Sequence, residues 1–399
     1  MFPENKFYGG YWEMKLSKFA LLGAFAFAVM TGSVSADELQ QPVLEPIAYT
    51  LQDAADPPSD DGTWCLFKRD GEGLEISGWT QVGYHDGSDG LFNSAANAKS
   101  VGVEQLWFAF DKASDADAEG LGLGYHFDLT YGRHAENTNA FGNPNAGAAG
   151  DWDTENDDWA MPQLYLTGNL GDWDITLGKF YTIVGYEVVQ ANGNFFYSHA
   201  KTMNNSEPFT HTGVLPSKTT ETGLDLTVGW TAGWDTGFDS NGSNGIIGLG
   251  KSLGDNIGLN YVTTFGDISQ TENGYTHSIV MDIKLGERMS YVFQSDYVDT
   301  NERYHIGVNQ YVFYTVSDDV AVGARLEWWR NSSNSAPLAG QGALPSGSGP
   351  DSQYSFTTGV NWRPQSSFDL VIRPEVRIDW DSATTNTETI FGVDAILSY

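Results

Sequence analysis

The sequence predicts an all-β fold, a closed antiparallel barrel of about 16 strands that spans a membrane. First, apolar and polar residues alternate strictly: residues 121–131 read LGLGYHFDLTY, with leucine and aromatic side chains on one face and polar side chains or glycine on the other. Second, the chain holds 13 Trp, 19 Tyr, 22 Phe and 46 Gly without the apolar clusters of a soluble core. Third, it stops inside an alternating strand, at Tyr399. Because lipid satisfies no backbone polar group, only closed sheets and helices span it.

An export signal precedes the predicted barrel. A short basic region at residues 14–18 leads into an apolar run at 19–30, and Val34-Ser-Ala36 is a cleavage site of small residues. Residues 14–36 are therefore predicted to be a signal peptide cleaved after Ala36, and residues 1–13 are interpreted as a mis-assigned or alternative start. The apolar run falls short of the roughly 20 residues that a membrane-spanning helix needs. We expect export to the outer membrane of a Gram-negative bacterium.

The alternating pattern divides the remaining chain in two. Residues 37–73 contain four prolines and no sustained period, which predicts an irregular periplasmic lead-in. Residues 74–399 contain sixteen candidate strands, and an even number places both barrel ends on the periplasmic side. The candidates are 74–84, 101–111, 121–131, 160–168, 173–180, 210–216, 222–234, 245–251, 257–266, 275–285, 289–298, 304–315, 320–330, 353–362, 368–380 and 388–399. Because 210–216 and 245–251 are the weakest, a fourteen-stranded barrel stays open as an alternative.

Connection lengths alternate between short and long, which is typical of periplasmic turns and extracellular loops. The short connections are 169–172, 217–221, 252–256, 286–288, 317–319 and 363–367. The long ones include 132–159, 181–210, 235–244 and 331–352. This rhythm favours one barrel over a soluble sandwich.

The charge balance is strongly acidic. The chain has a net charge of −32, and removal of the predicted signal leaves 17 basic against 50 acidic residues. Such a chain repels nucleic acid, so no nucleic-acid partner is expected. The lone Cys65 cannot form an intramolecular disulfide, and no cysteine follows the cleavage site to accept a lipid anchor.

Charged residues lie on the polar face of several strands, the face that would line the barrel lumen. In strand 368–380, outward Phe368, Leu370 and Ile372 imply that Arg373, Glu375 and Arg377 point into the lumen. The same phasing gives the other inward candidates, Asp225, Asp282, Lys284, Arg325 and Glu327. Side chains cannot fill a barrel this wide, which favours a water-filled pore. The alternative is a wall of ion pairs that only fills or stiffens the lumen.

The 181–210 connection is unusually aromatic and carries Glu187. A surface loop of this kind would expose an apolar patch, so we expect part of it to fold into the barrel and narrow the lumen. The alternative is an adhesive loop at the surface.

Metal and catalytic signals are weak. Residues 151–158 carry alternating carboxylates, but Asn156 and Pro162 occupy positions where a calcium loop needs Gly and Glu. His126 and Asp128 share the lumen face of one strand, yet no pattern supplies an oxyanion site. We therefore expect no catalytic residue, no metal and no cofactor.

Three segments carry a family resemblance. Residues 178–187 (GKFYTIVGYE), 194–198 (NFFYS) and 208–213 (PFTHTG), in this order, resemble the OmpL-like β-barrel porin family of bacterial outer membranes, over residues 74–399. The resemblance implies passive diffusion of small hydrophilic solutes and ions, and a homotrimer in outer-membrane lipid. By analogy with general porins, it implies that Glu187 faces Arg325, Arg373 and Arg377 at a constriction.

Two other functions stay open. One is a plugged adhesion or receptor barrel whose loops bind a partner, and the other is a barrel hydrolase built around His126. For a porin, the inward candidates also include Asp369 and Asp379 of strand 368–380, which gives six acidic against four basic residues on the wall. The candidate lumen wall is therefore mixed but slightly acidic, which predicts a mild preference for cations.

Overall fold

The computed structural model describes nine stretches of the chain. They are residues 74–87, 98–114, 122–138, 158–238, 242–268, 272–332, 351–365, 368–382 and 387–399. The predicted extension, signal peptide and lead-in, Cys65, and most of the acidic 151–158 segment lie outside the described residues.

Nearly all of the regular secondary structure in the described chain is β-strand. The strands are β1 (Glu75–His85), β2 (Gly102–Lys112), β3 (Gly124–Gly132), β4 (Asp158–Ala160), β5 (Leu164–Leu170), β6 (Trp173–Tyr181), β7 (Thr210–Thr219), β8 (Leu224–Thr231), β9 (Asn244–Ser252), β10 (Ile257–Asp267), β11 (Asn273–Lys284), β12 (Met289–Thr300), β13 (Tyr304–Ser317), β14 (Val320–Asn331), β15 (Asp351–Trp362), β16 (Asp369–Asp381) and β17 (Thr387–Ser398). Short 3₁₀ turns occupy Arg133–Thr138 and Ala191–Gly193, and helix α1 spans Lys201–Ser206. Among the described residues, no helix has the length and apolar character needed to cross a membrane.

The strands close into one antiparallel barrel. Each pairs with its neighbours in chain order, and β1 pairs with β17 as well as with β2, which completes the ring. The short β4 and the following β5 both pair with β3 and share one position in the wall. The barrel therefore has sixteen strands, which confirms the predicted fold class, including the strands at 210–216 and 245–251.

The predicted strand 160–168 is interrupted, because Pro162 cannot donate a backbone hydrogen bond to the ladder. The chain leaves the sheet between Ala160 and Leu164. In this interval Gln163 bonds the chain to β3. Its carbonyl accepts the Asp128 N–H at 3.1 Å, and its side-chain Nε2 donates to the Asp128 carboxylate at 2.9 Å.

Alternation separates a lipid-facing surface from the lumen. On β16, Arg373 and Arg377 are buried in the lumen while Val376 between them is 39% exposed on the outside. Large apolar side chains are exposed on the outside of other strands too, including Leu166, Leu177, Trp230, Phe265, Ile279 and Trp362. In water such a surface would be costly, whereas lipid accommodates it.

A bulge in β2 turns two consecutive polar side chains inward. Gln81 pairs with Gln105 and Val82 pairs with Val103, so Glu104 is the extra residue of the bulge. Glu104 and Gln105 are both fully buried. The bulge therefore supplies an added anchoring group on this wall.

Candidate functional site: a loop that crosses the lumen

Residues 182–209, here called the inward loop, connect neighbouring strands β6 and β7 but do not stay beside them. Arg325 of β14 donates from Nη1 to the Ser198 carbonyl at 2.7 Å, and Arg373 of β16 donates to the Asn194 carbonyl at 2.6 Å. Because β14 and β16 lie far around the barrel from β6, the loop must cross the lumen. This fits the expectation that the 181–210 connection folds inward.

One end of the inward loop packs on a tryptophan pair. Trp79 of β1 and Trp107 of β2 stack with ring centroids 4.7 Å apart and are 1% exposed. Val189, Ala191, Met203 and Phe209 of the loop pack in the same apolar cluster. These lumen-facing aromatic rings are therefore covered by the loop and do not line an open passage.

Gln105 fixes the loop backbone beside that pair. Its Nε2 donates to the Val189 carbonyl at 2.7 Å, and its Oε1 accepts the Ala191 N–H at 3.0 Å and the Trp79 indole N–H at 2.8 Å. Because Gln105 is buried, leaving one of its polar atoms without a partner would cost about 1–3 kcal/mol of stability. These hydrogen bonds therefore hold the loop backbone against the wall.

Glu187 and Arg325 form the principal ion pair between loop and wall. Glu187 Oε1 accepts hydrogen bonds from Arg325 Nη1 at 2.6 Å and from the Tyr311 hydroxyl at 3.1 Å, while its Oε2 accepts the Ala200 N–H at 2.8 Å. Burial acts to raise the pKa of Glu187, but Arg325 and His199 outweigh it and hold that pKa below its ordinary value. Glu187 is therefore an ionised group paired inside the protein.

Arg373 and Arg377 are also bonded to the loop and to wall carboxylates. Arg373 donates to both Asp394 oxygens, at 2.9 and 2.5 Å, and to the Ala191 carbonyl at 2.8 Å. Arg377 donates to Asp379 at 2.8 Å and to the His199 carbonyl at 2.7 Å. Each guanidinium therefore has a carboxylate for its charge and a loop carbonyl for its remaining donors.

Two wall carboxylates hold the N–H groups of the loop. Glu375 accepts those of Tyr197 at 2.8 Å and Ser198 at 3.2 Å, and Glu327 accepts that of Thr202 at 2.8 Å. At the start of the loop, the Gly185 N–H donates to Ser278 of β11 at 3.2 Å.

Glycines on the wall make room for the side chains of the loop. A Cβ on Gly323 would lie 2.5 Å from the Phe195 ring, and a Cβ on Gly307 would lie 2.4 Å from Thr202 Oγ1. No side chain larger than hydrogen fits at these contacts unless the loop shifts.

An open cavity remains on the opposite side of the lumen. It has a volume of about 350 Å³ and extends from Ile183 and Gly185 of the inward loop to the periplasmic ends of β5–β11. Its lining includes Asp174, Asp225 and Asp282.

The structure divides the sequence-predicted site residues into two groups. Glu187, Arg325, Glu327, Arg373, Glu375 and Arg377 meet at the contact between loop and wall. Asp225 and Asp282 line the open cavity instead. Lys284 is half-buried at the periplasmic end of β11, two residues beyond Asp282 on the same face.

Several anchoring residues were not singled out from the sequence. Gln105 depends on the bulge, which alternation does not reveal. Lys201 pairs with Asp379 at 3.2 Å, and Gln294 donates to Glu207 at 2.6 Å. The one sequence signal for Gln294 was its position on the polar, lumen-facing side of β12.

His126 lies between two carboxylates on the lumen face. Its Nδ1 and Nε2 lie 3.0 Å from Asp111 and Asp128, and Gln163 Nε2 is 3.2 Å from the ring. Among the described residues, no group of three or more His, Cys, Asp or Glu is placed to hold a metal ion.

The barrel is similar to solved outer-membrane proteins. The outer membrane channel DcaP of Acinetobacter baumannii matches with a TM-score of 0.55 and 10% identity, over 82% of this chain and 97% of that one. In-vitro folded OmpT of Vibrio cholerae, in its trimer form, gives 0.52 and 11%, over 82% and 99%. An anion-selective porin from Comamonas acidovorans gives 0.50 and 11%, over 82% and 99%. At such identities the likeness shows the fold.

Family membership rests on the sequence itself. A comparison with curated proteins finds no match. The model of the family described as "Putative beta-barrel porin-2, OmpL-like" matches residues 73–399, which include the whole barrel, and this confirms the resemblance carried by the loop motifs. The chain therefore belongs to the OmpL-like family of β-barrel porins, channel proteins of the outer membrane.

Proposed function

We propose that this porin lets small hydrophilic solutes and ions diffuse passively through the part of its lumen that the inward loop leaves open. The observation that carries the proposal is the cavity on the β5–β11 side, which continues from the periplasmic end up to Ile183 and Gly185. The loop narrows the passage, and its many buried bonds keep it in place. No chemical step and no cofactor is part of this proposal.

Swelling of liposomes that contain the purified, folded protein tests the proposal. Vesicles loaded with an impermeant polymer should swell in isosmotic arabinose or glycine, and more slowly in larger oligosaccharides, because the loop limits the cross-section. Protein-free vesicles are the control. Folded, inserted protein that admits none of these solutes would contradict the proposal.

The same experiment addresses the plugged receptor barrel. That alternative has one observation in its favour, since the inward loop packs on β1, β2, β11–β14 and β16 and, through Ile183 and Val184, on β5, β7, β9 and β10. A receptor would insert and fold but would stay impermeable to sugars and to ions.

The proposal includes how the protein reaches its membrane and assembles. Residues 14–36 act as the signal peptide, with cleavage after Ala36, residues 1–13 form an extension that precedes it, and residues 37–73 form the periplasmic lead-in. N-terminal sequencing of protein from outer-membrane fractions should begin at Asp37. We also propose a homotrimer, supported by the trimer form of OmpT with its similar fold. Light scattering in detergent should give three times the mass of the chain.

A further inference from the structure

The lumen wall is electrically asymmetric. The inward loop covers the side that carries Arg325, Arg373 and Arg377, which are at most 2% exposed. The other side, from β5 to β11, borders the open cavity over its periplasmic half, and nearer the loop it packs on Ile183 and Val184. A solute in the lumen therefore meets the second side, provided that the porin function proposed above is correct.

Each buried guanidinium is paired with carboxylates of the protein. Arg325 pairs with Glu187 at 2.6 Å, and Arg373 pairs with Asp394 at 2.5 Å. Arg377 pairs with Asp379 at 2.8 Å and lies 3.7 Å from Glu327. Their donors are further occupied by loop carbonyls, so these cations neither contact lumen water nor present an uncompensated positive charge to it.

The carboxylates of the open side, by contrast, reach solvent. Asp174 and Asp225 are exposed, and Asp282 is half-buried. Gly250 and Gly258 stand beside them in the neighbouring strands: a Cβ on Gly250 would lie 3.3 Å from Asp225 Oδ2, and one on Gly258 would lie 2.1 Å from Asp282 Oδ2. The Asp225 and Asp282 carboxylates therefore lie over glycine backbone of the neighbouring strands, at the border of the cavity.

The lysines that border the cavity turn away from it. Lys218 pairs in register with Leu226, and Lys251 pairs with Leu224. These leucines flank the lumen-facing Asp225 on β8, so they and the lysines paired with them lie on the outer face. Lys218 Nζ lies 4.7 Å from the centroid of the Trp173 ring, and Lys251 donates to the Thr222 carbonyl in the β7–β8 turn. Among the described charged residues on the lumen face at this end, only Lys284 opposes the carboxylates.

We propose that solutes pass along the β5–β11 side and that Asp225 and Asp282, rather than the lumen arginines, set the charge selectivity of this porin. Acidic groups in a narrow passage with walls of low dielectric constant concentrate cations and repel anions. The arginines instead anchor the inward loop to the barrel wall. The protein therefore prefers cations, although it has a wall of lumen-facing arginines like that of general porins.

The test is the reversal potential of the purified full-length protein in a planar bilayer under a KCl gradient. The wild type should be cation-selective, and the double variant D225N/D282N should lower the ratio of potassium to chloride permeability by about twofold or more. Asp255→Asn, at the exposed β9–β10 turn, is the matched control and should leave the ratio unchanged.

Arg373→Gln completes the comparison. It should lower the temperature at which the barrel unfolds on a gel while leaving the permeability ratio unchanged. A ratio that responds to Arg373→Gln but not to D225N/D282N would overturn the inference, as would anion selectivity of the wild type. If Arg373→Gln does not fold, the aspartate variants decide alone. Absence of any current from folded, inserted protein would instead contradict the porin function.

Discussion

Glu187 of the inward loop accepts a 2.6 Å hydrogen bond from Arg325 of β14, and both side chains are buried. This bond joins residues that lie 138 positions apart in the sequence, and it ties a loop that leaves the wall at β6 to β14 on the other side of the barrel. It is the link on which the position of the loop, and with it the width of the passage, depends most directly.

Replacing Arg325 should release the inward loop. Arg325→Met leaves the Glu187 carboxylate buried without its cation, a change that typically costs about 3–5 kcal/mol. We expect lower thermal stability together with larger and noisier single-channel currents. Arg330→Met is the matched control, since Arg330 lies on the same strand but on the opposite face. If folded Arg325→Met gives single-channel currents with the size and noise of the wild type, Arg325 does not hold the loop in place.

A disulfide should fix the loop without changing the channel. An ideal Cβ on Gly307 lies 3.0 Å from Thr202 Cβ, so a cysteine pair at these positions needs only a small adjustment to reach the usual separation of about 3.5–4.5 Å. In a Cys65→Ser background, T202C/G307C should form the bond on mild oxidation and conduct equally when oxidised or reduced. The single variant Gly307→Cys controls for the substitution. A clear change in conductance on oxidation would mean that the loop works in another position.

Filling a wall glycine should strain the loop contact. Gly323→Val places atoms against the Phe195 ring, and overpacking of this kind costs about 1–3 kcal/mol. The midpoint temperature of the heat-induced gel shift should fall. Combination with Phe195→Ala should recover part of the loss, because contacting residues do not behave additively. Fully additive losses would show that the two residues do not touch.

The loop contact near Glu207 should be sensitive to pH. Burial, and then the neighbouring Asp296 carboxylate, raises the pKa of Glu207 well above its ordinary value of 4.5. The folded protein therefore holds this proton more tightly than the unfolded chain, and the stability it contributes is full below about pH 4.5 and is lost as the pH rises through the folded pKa. Glu207→Gln should be more stable than wild type at alkaline pH and similar to it in acid. Glu221→Gln, at an exposed turn, is the control; a variant that is less stable at alkaline pH would refute this assignment.

Much of the fold was accessible from the sequence because alternation reports which side of a barrel wall a residue faces. The charged faces of β14 and β16 were predicted this way, and Arg325 and Arg373 do point inward. Pairing was also predictable, since consecutive strands neighbour each other in an up-and-down barrel.

The arrangement of side chains within the lumen was harder to predict from the sequence. Periodicity does not tell a lumen side chain in water from one beneath the inward loop, and Arg377 and Asp225 carry the same signal although only Asp225 is exposed. The bulge at Glu104 and the interruption at Pro162 depend on three-dimensional packing. Partners such as Asp394 and Gln294 are specified by how the loop folds across the barrel, which local pattern does not encode.

Current recording from single wild-type channels in a planar bilayer tests the central claim most directly. A barrel whose inward loop leaves one side of the lumen open should give discrete, ohmic current steps in KCl, from protein that still shows heat-modifiable migration on a gel. Protein that inserts and is folded by this criterion, yet carries no current, would contradict the account and would mean that the inward loop closes the lumen.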